Sequence, residues 1–157
     1  DEFEKGNMHA PEFRESIRQW LPSETSDQAI DDAWNAMLLG IPKEKIDFLE
    51  SIRKDYRIFL LSNTNDIHLD TVFRMNQRDH GFRDLSNFME KQYFSCQMGM
   101  RKPDEEIFRH VLEENKLNAR DCFFIDDSIQ HVEGARKVGL HAHHLAHGQN
   151  LMDLFRQ

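Results

Sequence analysis

Apolar residues recur at two different periods along this chain, and the switches between them lay out its architecture. In the first forty residues the period is helical. Pro11 suits the first turn of a helix carrying Phe13, Ile17, Trp20 and Leu21, which Pro22 ends. Ser26 or Asp27 caps a second helix, whose Ile30, Ala33, Trp34, Met37 and Leu38 form one stripe at i, i+3, i+4, i+7 and i+8. Asp31 and Asp32 fall on its surface and are expected to be solvated, while Trp20 and Trp34, at helical spacing, are expected to pack inside. Gly40-Ile41-Pro42 breaks the pattern and marks a hinge between a small helical unit, residues 1–41, and a larger domain, residues 42–157.

From Pro42 onward helix and strand patterns alternate. A helix through Ile46, Leu49 and Ile52 leads into a buried strand, Tyr56 to Leu61, which ends in Ser62-Asn63-Thr64-Asn65. A helix with Ile67, Leu69, Val72 and Phe73 follows, then a strand at Tyr93 to Cys96. Pro103 opens the next helix with Asp104, Glu105 and Glu106 at its positive end, and Ile107, Phe108, Val111 and Leu112 form its buried face. Phe123 to Ile125 is a strand, Ser128 to Val138 a helix closed by Gly139, and Leu140 to Leu145 a last strand. Such alternation predicts βαβ units and an α/β fold with a mostly parallel sheet.

Within this frame Phe123-Phe124-Ile125-Asp126-Asp127-Ser128 stands out, because three apolar residues deliver two adjacent carboxylates to a helix start that Ser128 is suited to cap. In parallel sheets that strand end is where ligands bind. Adjacent carboxylates raise each other's cost of ionisation, which a cation relieves, most naturally Mg²⁺. They also suit the helix dipole as simple caps, and the hexapeptide alone supports both readings. Ser62 offers a hydroxyl and Asn63 a backbone N–H at another strand end, and Lys102 a compact positive charge before a proline. Jointly these favour a phosphate-and-magnesium site.

Composition narrows the function classes. At 157 residues, 39% hydrophobic and 31% charged, the chain has the makings of one globular domain. A net charge of −8 argues against nucleic acid or an anionic membrane as the main partner. No apolar run is long enough to span a bilayer and no signal peptide opens the chain, so a cytoplasmic location is expected. Cys96 and Cys122 lack C-x-x-C spacing and read as reduced thiols. His141 and His143 alternate onto one side of the last strand without evident orienting partners, which argues against zinc, and His110 and His131 fall on helices where exposure is expected.

The stretches Leu61-Ser62-Asn63-Thr64-Asn65, Gly99-Met100-Arg101-Lys102-Pro103-Asp104, and Phe124 to Ser128 with Glu133-Gly134-Ala135 resemble motifs two, three and four of the haloacid dehalogenase superfamily. The likeness is to its glucose-1-phosphate phosphatase and epoxide hydrolase amino-terminal phosphatase branch. It implies a Rossmann-like three-layer core over residues 42–157 with part of a helical cap over residues 1–41. By the same resemblance, Ser62 and Asn63 bind a transferring phosphoryl group, Lys102 neutralises it, Asp126 ligates Mg²⁺ and Asp127 acts through a metal-bound water. The implied activity is a phosphatase acting through a phosphoaspartate on a small phosphorylated metabolite such as a sugar phosphate. A non-catalytic phosphate-binding or interaction protein is the alternative from another class. A 2-haloacid dehalogenase is a further one, disfavoured by the paired aspartates.

One departure from the family pattern is large. Its first motif, an apolar strand ending in the attacking aspartate, has no counterpart here. Asp79-His80-Gly81 follows no buried strand, and only Asp126 and Asp127 directly follow an apolar run. With Phe3 isolated among charges and helices preceding any strand, this predicts that the first core strand and the nucleophile lie outside the chain, supplied by an amino-terminal segment or a neighbouring chain. The chain alone is then expected to be inactive.

Overall fold

The computed structural model describes residues 1–155; the last two residues of the predicted 42–157 domain lie outside it. By its internal contacts the chain divides into Asp1–Gly99 and Met100–Gln157, a boundary that does not coincide with the break at Gly40.

The first unit begins with helices α1 (Ala10–Arg18), α2 (Asp27–Asn35) and α3 (Lys43–Ile52). Ser26 caps α2 as expected, its side chain accepting from the Ala29 N–H. Both leading helices end earlier than their apolar patterns suggested. The chain leaves α1 before Trp20, which is 82% exposed, and leaves α2 before Met37, which is also exposed, so neither reaches the core. Trp34 does pack inside, its ring 4.6 Å from Phe13 and 5.4 Å from His68. Phe3 is not isolated: it is buried and stacks on Phe13 at 4.4 Å, and with Ile67 they form an apolar cluster. Asp31 is not solvated either, because Arg14 from α1 reaches it through paired hydrogen bonds of 2.8 and 2.7 Å. The partner stands 17 residues upstream, where no local pattern reveals it.

Strand β1 (Phe59–Ser62) pairs in parallel with β2 (Lys91–Phe94), with Ser62 opposite Phe94. Between them runs α4 (Asp66–His80), capped by Asn65, whose side chain accepts from the His68 N–H. The predicted strand at Tyr93 to Cys96 is shifted: β2 stops at Phe94, and Ser95 and Cys96 begin a short helix, α5 (Ser95–Met98). Asp79 and His80 close α4, as their lack of a preceding strand implied.

The second unit contains α6 (Glu105–Glu114), β3 (Phe123–Asp126), α7 (Ile129–Lys137) and β4 (His141–His144). Pro103 lies just ahead of α6, not inside its first turn, and Asp104 is the N-cap. β3 and β4 pair in parallel, Asp126 opposite His144. Helix α7 ends in a left-handed Gly139 with φ of 90°, and the Gly139 and Leu140 N–H groups return to the Arg136 and Ala135 carbonyls.

Among the described residues the strands thus form two parallel pairs, β1-β2 and β3-β4, rather than one run of paired strands. Each strand has a single partner, and this explains why β1 and β3 are only partly buried and why Phe123 is 54% exposed. The fold class is nonetheless α/β with parallel pairing.

Candidate active site

Asp126 is the last residue of β3, and the chain turns at once into α7. The turn is built by the aspartate itself. Its Oδ1 accepts the Ser128 N–H at 2.9 Å, closing a loop two residues long that aims the carboxylate back over the strand end. Ser128 was expected to cap α7 with its hydroxyl; its side chain makes no cap bond, and its backbone N–H serves Asp126 instead.

Lys102 donates to Asp126 Oδ2 at 2.7 Å, with both side chains only 8% exposed. Two further contacts hold the lysine in place. Its ammonium lies 5.6 Å from the centroid of the Phe124 ring, and that ring meets Phe108 edge-on at 5.3 Å. The segment after Lys102 rests directly on α7. A Cβ on Gly134 would stand 2.4 Å from the Pro103 carbonyl oxygen, so a glycine is required for the lysine-bearing loop to approach α7 this closely.

His131, on the first turns of α7, completes the group. Its Nδ1 lies 2.9 Å from Asp126 Oδ1, and because an ionised carboxylate only accepts, Nδ1 carries the proton and donates. The exposure expected for this histidine is therefore corrected, as its side chain is 18% exposed. Its spacing five residues after Asp126 was the available signal, since one helical turn beyond the strand end returns a side chain to that end. His110, by contrast, is exposed as expected. His144 on β4 approaches the Asp127 carbonyl through Nε2 at 3.0 Å, so it steadies the same turn from the backbone side.

Burial opposes ionisation of Asp126. The hydrogen bond and charge of Lys102, with the donors from Ser128 and His131, outweigh it and hold the carboxyl below the usual carboxylate range. Three of its roughly four acceptor positions are filled, two on Oδ1 and one on Oδ2. Asp127 is exposed.

Ser62 and Asn63 lie at the carboxyl end of β1 in the first unit. The loop they open is fixed by a residue sequence reasoning missed. Ser95, fully buried, accepts the Thr64 N–H at 2.9 Å and donates to the Thr64 carbonyl at 3.1 Å. Thus Lys102 meets Asp126 at the end of β3, where the exposed Asp127 follows in the chain, and Ser62 and Asn63 lie at the end of β1.

The sequence of the haloacid dehalogenase-like hydrolases matches residues 7–139. This chain belongs to that family. D-ribitol-5-phosphate phosphatase of Bacteroides thetaiotaomicron is 27% identical over 138 residues, an alignment covering 88% of this chain and 66% of that enzyme. A haloacid dehalogenase (HAD) family enzyme of the same organism, solved in complex with magnesium and inorganic phosphate, is 38% identical, with a TM-score of 0.91 over 99% of this chain and 78% of its own. A HAD-like hydrolase of Porphyromonas gingivalis is 34% identical, with a TM-score of 0.86 over 99% and 78% of the two chains. The family's Rossmann-like fold is therefore that of this chain. At 66% the chain spans just under two thirds of the ribitol-phosphate enzyme, so only part of such a protein's length is in view.

Proposed function

We propose that this chain is the larger part of a Mg²⁺-dependent phosphatase that acts on small phosphate esters of the sugar- or polyol-phosphate class. The observation that carries the reading is the buried Lys102–Asp126 pair, 2.7 Å apart at the end of β3 and followed by the exposed carboxylate of Asp127. A lysine and an aspartate this deeply buried are costly to desolvate, and such pairs are kept where their charges have a task. Support also comes from a phosphatase relative and from a related enzyme holding magnesium and phosphate.

The donor chemistry at β3 fits magnesium. Both candidates are hard carboxylate oxygens, one or two of which suffice for an ion that keeps most of its waters. Asp126 and Asp127 would hold it, and when bound it neutralises charge on a phosphoryl group. Ser62 and the Asn63 backbone are suited to bind phosphoryl oxygens, because Ser95 keeps their loop in one conformation. Lys102 supplies a fixed positive charge against both the phosphoryl group and the attacking carboxylate. We read residues 1–41 as part of the cap that excludes water and selects substrate.

The attacking aspartate belongs, in this reading, to a segment outside the 157 residues. Among the described strands only β3 ends in aspartate, and Asp126 is already committed to Lys102. The test is a panel of sugar and polyol phosphates offered to the 157-residue chain and to a form extended to the length of its relatives, each with Mg²⁺ and with chelator. Turnover by the extended form alone, lost with chelator and in Asp126→Ala, is expected. A homogeneous 157-residue monomer that turns over a phosphate ester through its own residues refutes the external nucleophile.

A further inference from the structure

We propose that His131 is a positioning residue for Asp126, holding one oxygen of that carboxylate so that only the other is free to meet a metal ion. The inference rests on the magnesium reading above and goes beyond it by assigning a task to a histidine outside the predicted site. Oδ1 receives two donors, the Ser128 N–H at 2.9 Å and His131 Nδ1 at 2.9 Å, and both of its acceptor positions are thereby filled. Oδ2 receives Lys102 at 2.7 Å and keeps one position open. The carboxylate can therefore offer a metal a single oxygen.

Rotation about the Cβ–Cγ bond of an aspartate is broad and nearly two-fold, so the carboxylate does not fix its own orientation. Lys102 holds Oδ2 and the Ser128 N–H holds Oδ1, but these two leave one acceptor position of Oδ1 open. His131, carried on α7, is the donor that closes it. The distinction matters because magnesium demands near-ideal octahedral geometry, whereas calcium accepts a carboxylate through one oxygen or through both. Freeing Oδ1 would permit the two-oxygen mode, and the site would lose its discrimination between the ions along with its affinity for magnesium.

The experiment is calorimetric titration of Mg²⁺ and, separately, Ca²⁺ into the 157-residue chain and its variants His131→Leu, His131→Gln and His131→Asn. Thermal melting is measured beside it in metal-free buffer. The asparagine amide nitrogen takes the place of Nδ1, and that variant should bind Mg²⁺ within about threefold of the unaltered chain. Leucine and glutamine should weaken Mg²⁺ by about 10-fold or more, the range seen when partners of metal ligands are removed. They should also lower the Mg²⁺-to-Ca²⁺ affinity ratio while leaving the metal-free melting temperature near that of the asparagine variant. Equal affinities and an unchanged ratio in all four proteins overturn the assignment while the magnesium reading stands. So does a proportionate loss for both ions that follows the metal-free melting temperature, which marks a purely structural role. The same titrations are run on the extended form, and absence of saturable Mg²⁺ binding in both the unaltered chain and the extended form overturns the magnesium reading, and the assignment with it.

Discussion

Gly134 lies against the carbonyl oxygen of Pro103 so closely that the smallest side chain would stand 2.4 Å from it and 3.1 Å from Cε2 of Phe108. In most helices Gly→Ala is stabilising, because alanine is the better helix former by about 1 kcal/mol. Here the sign reverses. The obstacle is backbone, which cannot rotate aside, so the loop carrying Lys102 must move away from α7. Gly134→Ala is expected to cost about 1 to 3 kcal/mol, as overpacked sites do. Urea unfolding measures it, and an alanine variant more stable than the parent would show that Pro103 and α7 are not in contact as described.

A second prediction concerns Ser95, whose hydroxyl both accepts from and donates to the Thr64 backbone. Ser95→Ala leaves two backbone groups without their partner inside a packed region, at about 1 to 3 kcal/mol. The consequence should be local as well as global. Amide exchange at Thr64 and Asn65 should accelerate more than exchange within α4, and uniform acceleration would show that the hydroxyl does not hold this loop.

These two contacts also mark how far the sequence could be read. The alternation of periods reveals α1 to α4, α6, α7 and the approximate places of all four strands, because each element's own apolar spacing is local information. That Lys102 and Asp126 share a site was legible from the chemistry gathered at strand ends and from motif resemblance, but not from periodicity, as 24 residues separate the partners. Helix ends were misplaced at Trp20 and Met37, where apolar residues continue past the point at which the chain turns. Ser95 was read as a strand residue because Tyr93 and Phe94 before it fit a strand, and its bond to Thr64 crosses 31 residues. The Arg14–Asp31 pair and the role of His131 were hidden for the same reason: a charged side chain on a helix reads as solvated until the partner's position is known.

The last prediction follows Asp126 through pH. Its carboxyl is held below the usual carboxylate range in the folded chain, against burial, by Lys102, the Ser128 N–H and His131. In the unfolded chain it returns to about 3.9. A group with a depressed folded value contributes stability that is fully present above the unfolded value and is lost as pH falls through the folded one. Asp126→Asn removes the charge, leaves Lys102 buried without its carboxylate, and should cost about 3 to 5 kcal/mol near neutral pH. As pH drops below about 3.9 the unfolded parent's Asp126 takes up its proton first, which erodes the parent's advantage, and once pH has passed the folded value the folded carboxyl is protonated too and resembles the amide. The stability gap between parent and variant should therefore narrow steadily from about pH 3.9 toward about pH 2. Paired urea titrations at closely spaced pH values give the gap directly. A difference that stays constant from pH 6 down to about 2.5 would mean that the ionised Lys102–Asp126 pair contributes nothing to the fold.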